Sequence, residues 1–262
     1  MNRTLTRVAT AIAALAAAAT VALPALASTS PAPTPAATSL AATTDTGITR
    51  CLAQWTAVTT DRTLADVQAA GECEIDRRLD TITHLKAVVS GSQVLTSSHA
   101  GSLDTILDNT ASGLTTLRAT LAADTTMAAA TADVRRIFTD YRVYVLVGRQ
   151  VALVTADDRV TVAADRLGDA AGKLADAIAQ AAARGKDVTA AQGHLDAMNA
   201  AIAAARGEVA GDADGVLAQT PSSWNAGTAK PVLDAARASI SAARTDLRTA
   251  VSEARAVLVA LR

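Results

Sequence analysis

Between Ala36 and Thr220 the chain has no proline. Proline inside a helix costs about 3 kcal/mol, because it removes a hydrogen bond and its ring clashes with the preceding turn. So long an absence fits helix throughout. Pro221 and Pro231 fall at helix boundaries, with Pro231 in a first turn, where the ring is tolerated. A second pattern agrees: Val188, Leu195, Ile202, Val209 and Val216 recur every seventh residue, and Leu233, Ile240, Leu247 and Leu261 follow the same repeat. Seven residues are two helical turns, so each series draws one apolar seam along a helix that packs on others. No Val/Ile/Tyr run bounded by turn signals points to strands. The expected fold class is all-α.

A short helix holding Cys51 and Trp55 precedes five main ones. The first runs from about Thr63 to Val89, opened by a capping box of Thr63 and Asp66, with Ile75, Leu79, Ile82, Leu85 and Val89 as its seam. The second, to about Ala123, carries Leu103, Leu107, Leu114, Leu117 and Leu121 on one face. The third has no clear stop signal between Thr126 and Arg184. Gly185 ends it, and Asp187 caps a fourth that reaches Thr220. The last begins near Thr228. The lengths suggest an elongated helical bundle: two successive three-helix bundles, about 47–155 and 156–262, sharing a continuous central helix roughly 90 Å long. The alternative is a single compact bundle in which the third helix breaks near Gly148.

Residues 1–27 have the parts of a cleaved signal peptide. Arg3 and Arg7 open it, Val8 to Leu23 is apolar apart from two threonines, and Ala25-Leu26-Ala27 precedes cleavage before Ser28. The apolar stretch is shorter than the roughly 20 residues a membrane span needs, so the mature chain is expected to lack a transmembrane segment. Residues 28–46, rich in Pro, Ser, Thr and Ala, form an extended linker, and 47–262 the helical domain. Cys51 and Cys73, the two cysteines, form a disulfide in an oxidising compartment. Their midpoint lies beside a turn at Thr59-Thr60-Asp61, so the bridge pins the short helix to the next and contributes about 3 kcal/mol. The expected location is secreted or envelope-associated. The excess of arginine over lysine, twenty to four, matches a GC-rich bacterial genome.

The net charge of −1 gives no field that would draw nucleic acid, and five aromatics leave little for a ligand pocket. The segment from Val134 to Val154 stands out. Arg135, Arg142 and Arg149 are seven apart and would line one helical face, with Arg136 beside the first and Phe138, Tyr141 and Tyr144 interleaved. Such a stripe is the candidate patch for an anionic envelope polymer or for another protein. The plainer alternative puts Ile137, Phe138, Tyr141, Val145 and Val151 in the core and the arginines in solvent. Glu72, Asp76, Asp80 and His84 are spaced by four, but Arg77 and Arg78 are close enough to neutralise them.

Gly211-Asp212-Ala213-Asp214-Gly215 lacks the acidic positions of a calcium loop and reads as a loose helical segment. His84, His99 and His194 have no nucleophile or metal-ligand context, and no catalytic, cofactor or metal motif is present. Trp55 and Trp224 are suited to sealing bundle ends. The expected function is therefore non-enzymatic, a binding or spacer module at the bacterial cell envelope without a cofactor. The alternative is an extracytoplasmic binder of a metal ion or small anion; the oligomeric state is left open.

Overall fold

The structure, a computed structural model, describes residues 49–262; the expected signal peptide (1–27) and linker (28–46) lie outside the described residues. Among the described residues the regular structure is helical and no strand occurs. In chain order come α1 (Leu52–Thr60), α2 (Leu64–Ser90), α3 (Ser97–Ala123) and α4 (Met127–Thr139). A π-helical turn (Val143–Val147) leads into α5 (Gly148–Ala182), followed by α6 (Thr189–Val209), α7 (Asp212–Leu217), α8 (Pro221–Asn225) and α9 (Ala229–Ala260). The all-α expectation is met.

Local chemistry sets the starts. Thr63 and Asp66 form the capping box at α2, and Thr96 and Thr126 accept from the third backbone N–H of α3 and α4. At α6 the cap is Val188 rather than Asp187, although the Asp187 carboxylate still accepts from the Thr189 N–H at 2.9 Å. Several helix ends are closed by side chains from elsewhere. The Gln68 amide donates to the carbonyls of Leu121 and Asp124 at the end of α3. The Gln150 amide does the same for Val216 and Gln219 after α7, and Lys186 for Leu261 after α9. These are carbonyls that a helix cannot satisfy internally.

The seams pack as their spacing implies. α2 lies against α3 and α4, and α6 against α5 and α9, which also touch each other. Val160, Leu167, Leu174 and Ala181 of α5 are buried with Leu195 and Ile202 of α6 and Leu233, Ile240 and Leu247 of α9. The Cys51–Cys73 disulfide, with Cα atoms 5.8 Å apart, ties the start of α1 to α2.

The continuous central helix does not form. Backbone bonding from Asp140 N–H to the Arg136 carbonyl closes α4, and Arg142 then takes a left-handed conformation (φ 43°, ψ 35°). Five of the seven residues from Tyr141 to Val147 are aromatic or β-branched (Tyr141, Val143, Tyr144, Val145 and Val147), the weaker helix formers, which lowers the cost of breaking there. The chain re-enters helix through bonds that skip five residues, Val147 N–H to the Arg142 carbonyl and Gly148 N–H to that of Val143. The alternative placed a break near Gly148; the break lies at Arg142, a few residues before it, and Gly148 itself has ordinary helical angles (φ −61°, ψ −36°). The longest element along the expected rod is α5, whose 35 residues span about 50 Å. The fourth helix likewise stops early, at Val209, because Gly211 adopts φ 81° and redirects the chain into α7.

Gly71 shows how closely α2 approaches its neighbours: a Cβ there would lie 2.5 Å from Leu121 Cδ2 and 2.7 Å from Val134 Cγ2. Gly71→Ala should destabilise by about 1–3 kcal/mol through overpacking. Gly101→Ala on α3, where nothing lies within 4 Å, should instead be neutral or stabilising. Urea unfolding midpoints of the two variants check the contrast; equal midpoints would contradict the packing.

Candidate functional site

The arginine–aromatic segment is where the sequence pointed, and the structure takes it apart. With the helix broken between Arg135 and Arg149, the two arginines belong to different helices and Arg142 to the turn between them, so no common face forms. Most of the charges are also engaged. Arg136 pairs with Asp133 at 3.0 Å and Asp140 at 3.2 Å, and Arg149 with Asp234 at 2.7 Å. Arg142 donates to the Asn225 Oδ1 at 2.9 Å, while the Asn225 amide donates to the Thr139 carbonyl at 3.0 Å and so bridges both sides of the break. Arg135 is exposed. Phe138 and Val145 are over a third exposed, whereas Ile137 and Val151 are buried; the register change at Arg142 separates residues that one helix would have aligned.

The aromatics meet other arginines. Arg78 of α2 stacks 4.6 Å from the centre of the Phe138 ring and 5.1 Å from that of Tyr144, and Arg77 lies 4.8 Å from Tyr144. Both arginines pair with Glu74, Arg77 at 2.7 Å, and the Trp55 indole N–H donates to the same carboxylate at 3.2 Å. Glu74 and Arg78 are buried. Burial opposes the Glu74 charge, but the hydrogen bonds from Arg77 and Arg78, the Arg78 charge and the indole N–H hold the carboxyl below its ordinary range. Burial pulls Arg78 down, against the support of Glu74. This is a closed structural centre joining α1, α2, α4 and the π-turn. Tyr141 packs over Gly113 of α3, where a Cβ would come within 2.5 Å of its ring.

The acidic stripe of α2 is divided between partners. Asp76 meets Arg118 of α3 at 2.9 Å, Asp80 meets Arg50, and Arg77 and Arg78 turn to Glu74 instead of neutralising the stripe. Trp224 lies beneath the Arg149 guanidinium, 5.9 Å from the ring centre. His194 pairs with Glu253 at 2.7 Å across α6 and α9.

A second polar cluster carries no sequence motif. Asp157 and Asp158 of α5 are both buried. Asp158 accepts from the Thr96 N–H and binds His99 Nδ1, both at 2.8 Å, anchoring the start of α3. Asp157 Oδ2 and Asp212 Oδ2 are buried without a hydrogen-bond partner. Burial first, then the charges of Asp158, Asp212 and Asp214 against the opposing effect of His99, push the Asp157 carboxyl up to about 7. Among the described residues no group of three or more His, Cys, Asp or Glu is arranged to hold a metal ion. The Gly211–Gly215 segment thus supplies two of the acids that surround Asp157.

Two outcomes follow. Removing the buried guanidinium with Arg78→Leu should cost about 3–5 kcal/mol by leaving Glu74 uncompensated, measured by denaturant unfolding. Asp157 is protonated in both folded and unfolded chains at low pH; as pH rises from about 4 to about 7 the unfolded chain loses its proton first, so this group makes stability fall across that window. Asp157→Asn should flatten the fall and unfold at higher temperature than the parent at pH 8; an unchanged pH–stability curve would contradict the burial of an unpaired carboxyl. No family model, curated protein or solved structure matches this chain.

Proposed function

We propose that the chain is an exported, non-enzymatic helical module that binds or spaces at the bacterial cell envelope. The observation that carries this reading is the position of α5. Its 35 residues touch the π-turn, α2 and α3 and pack with α6, α7 and α9, so one long element is shared by the earlier and the later helices. On this reading the molecule comprises two successive three-helix groups, α2–α4 and α5 with α6 and α9, elongated along α5. The disulfide and the leader-like first residues support an oxidising destination. Among the described residues no helix is long and apolar enough to cross a membrane. Attachment to the envelope would therefore run through a partner or through the linker.

Solution scattering of the mature chain should give a radius of gyration well above the about 18 Å of a compact domain of its length. Sedimentation with isolated cell wall should carry the protein down, and Arg135→Gln should weaken the association if the exposed arginine of α4 takes part. A compact particle that stays in the supernatant would overturn the proposal.

A further inference from the structure

We infer that α7 is a pH-sensitive latch between the earlier and the later helices, held closed by the proton on Asp157 and released when that proton leaves. The inference does not rest on the envelope role. It starts from two adjacent carboxyls of α5 that are treated in opposite ways. Asp158 is 3% exposed and engaged at both oxygens: Oδ2 accepts from the Thr96 N–H and Oδ1 lies against His99 Nδ1, each at 2.8 Å. Asp157 is 5% exposed, and its Oδ2 has no hydrogen-bond partner. A carboxylate with one oxygen sealed from water and unpaired is poorly hydrated, so the position favours the neutral acid.

The unpaired oxygen sits where three elements meet. α7 touches α3, α5 and α9. One end of α7 is tied to α5 by the Gln150 amide, which donates to the Val216 and Gln219 carbonyls. At the other end Asp214 Oδ1 lies 3.7 Å from Nε2 of the same His99 that holds Asp158. Asp212, between Gly211 and Asp214, contributes a second buried carboxylate oxygen without a partner. The charges of Asp158, Asp212 and Asp214 oppose ionisation of Asp157, and His99 alone among these neighbours favours it.

The remaining helices packed on α5 bring no counter-charge. Arg206 of α6 is paired with Asp165, Asp234 of α9 with Arg149, and Lys86 of α2 with Asp108. Glu208 of α6 and Arg237 of α9 are exposed. The charges acting on Arg244 of α9 are those of Arg159 and Arg248, and Asp157 is not among them. Arg159, two residues after Asp157, points about 200° further round the helix.

Below about 7 Asp157 keeps its proton; above it, four carboxylates face one imidazole. Asp158 is fixed by the start of α3, so the repulsion is relieved by moving the acids of α7. The parts for that movement are local. α7 has six residues, is entered through Gly211 at φ 81° and is held to α5 by the Gln150 amide. The seam of Leu167, Leu174, Leu195 and Leu247 lies further along α5 and does not depend on it.

The test is hydrogen exchange of the full mature chain at about pH 5.5 and about pH 8, corrected for the intrinsic pH dependence of exchange. The reporters are the Gly215 and Ala218 amides, which donate to the Gly211 and Asp214 carbonyls. Their protection should fall about tenfold or more between the two conditions, through an opening insensitive to low urea. The Leu195 and Leu247 amides of α6 and α9 should keep slow, urea-sensitive exchange. In Asp157→Asn the α7 amides should stay protected at both pH values. Asp212→Asn, which removes one opposing charge, should shift the loss to higher pH and serves if the first variant folds poorly. Equal α7 protection at the two pH values, a loss that survives in Asp157→Asn, or α7 exchange that follows the urea dependence of the seam amides would overturn the latch.

Discussion

A single backbone conformation, the left-handed turn at Arg142, decides how the first half of the molecule is built. A helix carried through this point would have aligned Arg135, Arg142 and Arg149 and put Phe138 and Val145 together in a core. Ending α4 at Thr139 frees the aromatics to meet a different helix, and Phe138 and Tyr144 close over Arg77 and Arg78 of α2. The buried Glu74 carboxylate becomes tolerable only because that box supplies two guanidiniums and an indole N–H. Backbone geometry at one residue thus decides which arginines are structural and which are left at the surface.

Breaking helices inside a helical protein has a general cost in unsatisfied carbonyls. The remedy here is remote and repeated. Gln68, Gln150 and Asn225 each send an amide from one element to the end of another, and Lys186 reaches the last turn of α9 with its ammonium. Few of these ends carry a local basic residue or a glycine that would have closed them in place. The loops are held by tertiary bonds, which ties the order of each helix end to the packing of its neighbour.

Much of the fold was legible in the sequence because apolar spacing and capping are local signals. The seams of α2, α3, α5, α6 and α9, the Thr63–Asp66 box and the cysteine bridge all depend on residues near one another in the chain or equidistant from a turn. The break at Arg142 depends on weak helix preference combined with a partner, Asn225, far along the chain, so no local pattern announces it. The acidic cluster left one trace. Counting back along the α5 seam from Val160 reaches Asp157, Leu153 and Gln150, so two polar residues occupy positions that the repeat reserves for apolar ones. Gln150 is explained by its bonds to the end of α7, and Asp157 by none.

The Asn225 amide touches both banks of the break, yet it lies 83 residues beyond Arg142 and 86 beyond Thr139. A chain that emerges from its N-terminus, whether from a ribosome or through an export channel, delivers α1 to α5 long before this side chain arrives. The joint between α4 and α5 therefore stays unlatched while most of the protein is already outside, and the last quarter of the sequence locks a junction made in its middle. A product truncated before Asn225 would lack this fastening and, with it, the whole of α9.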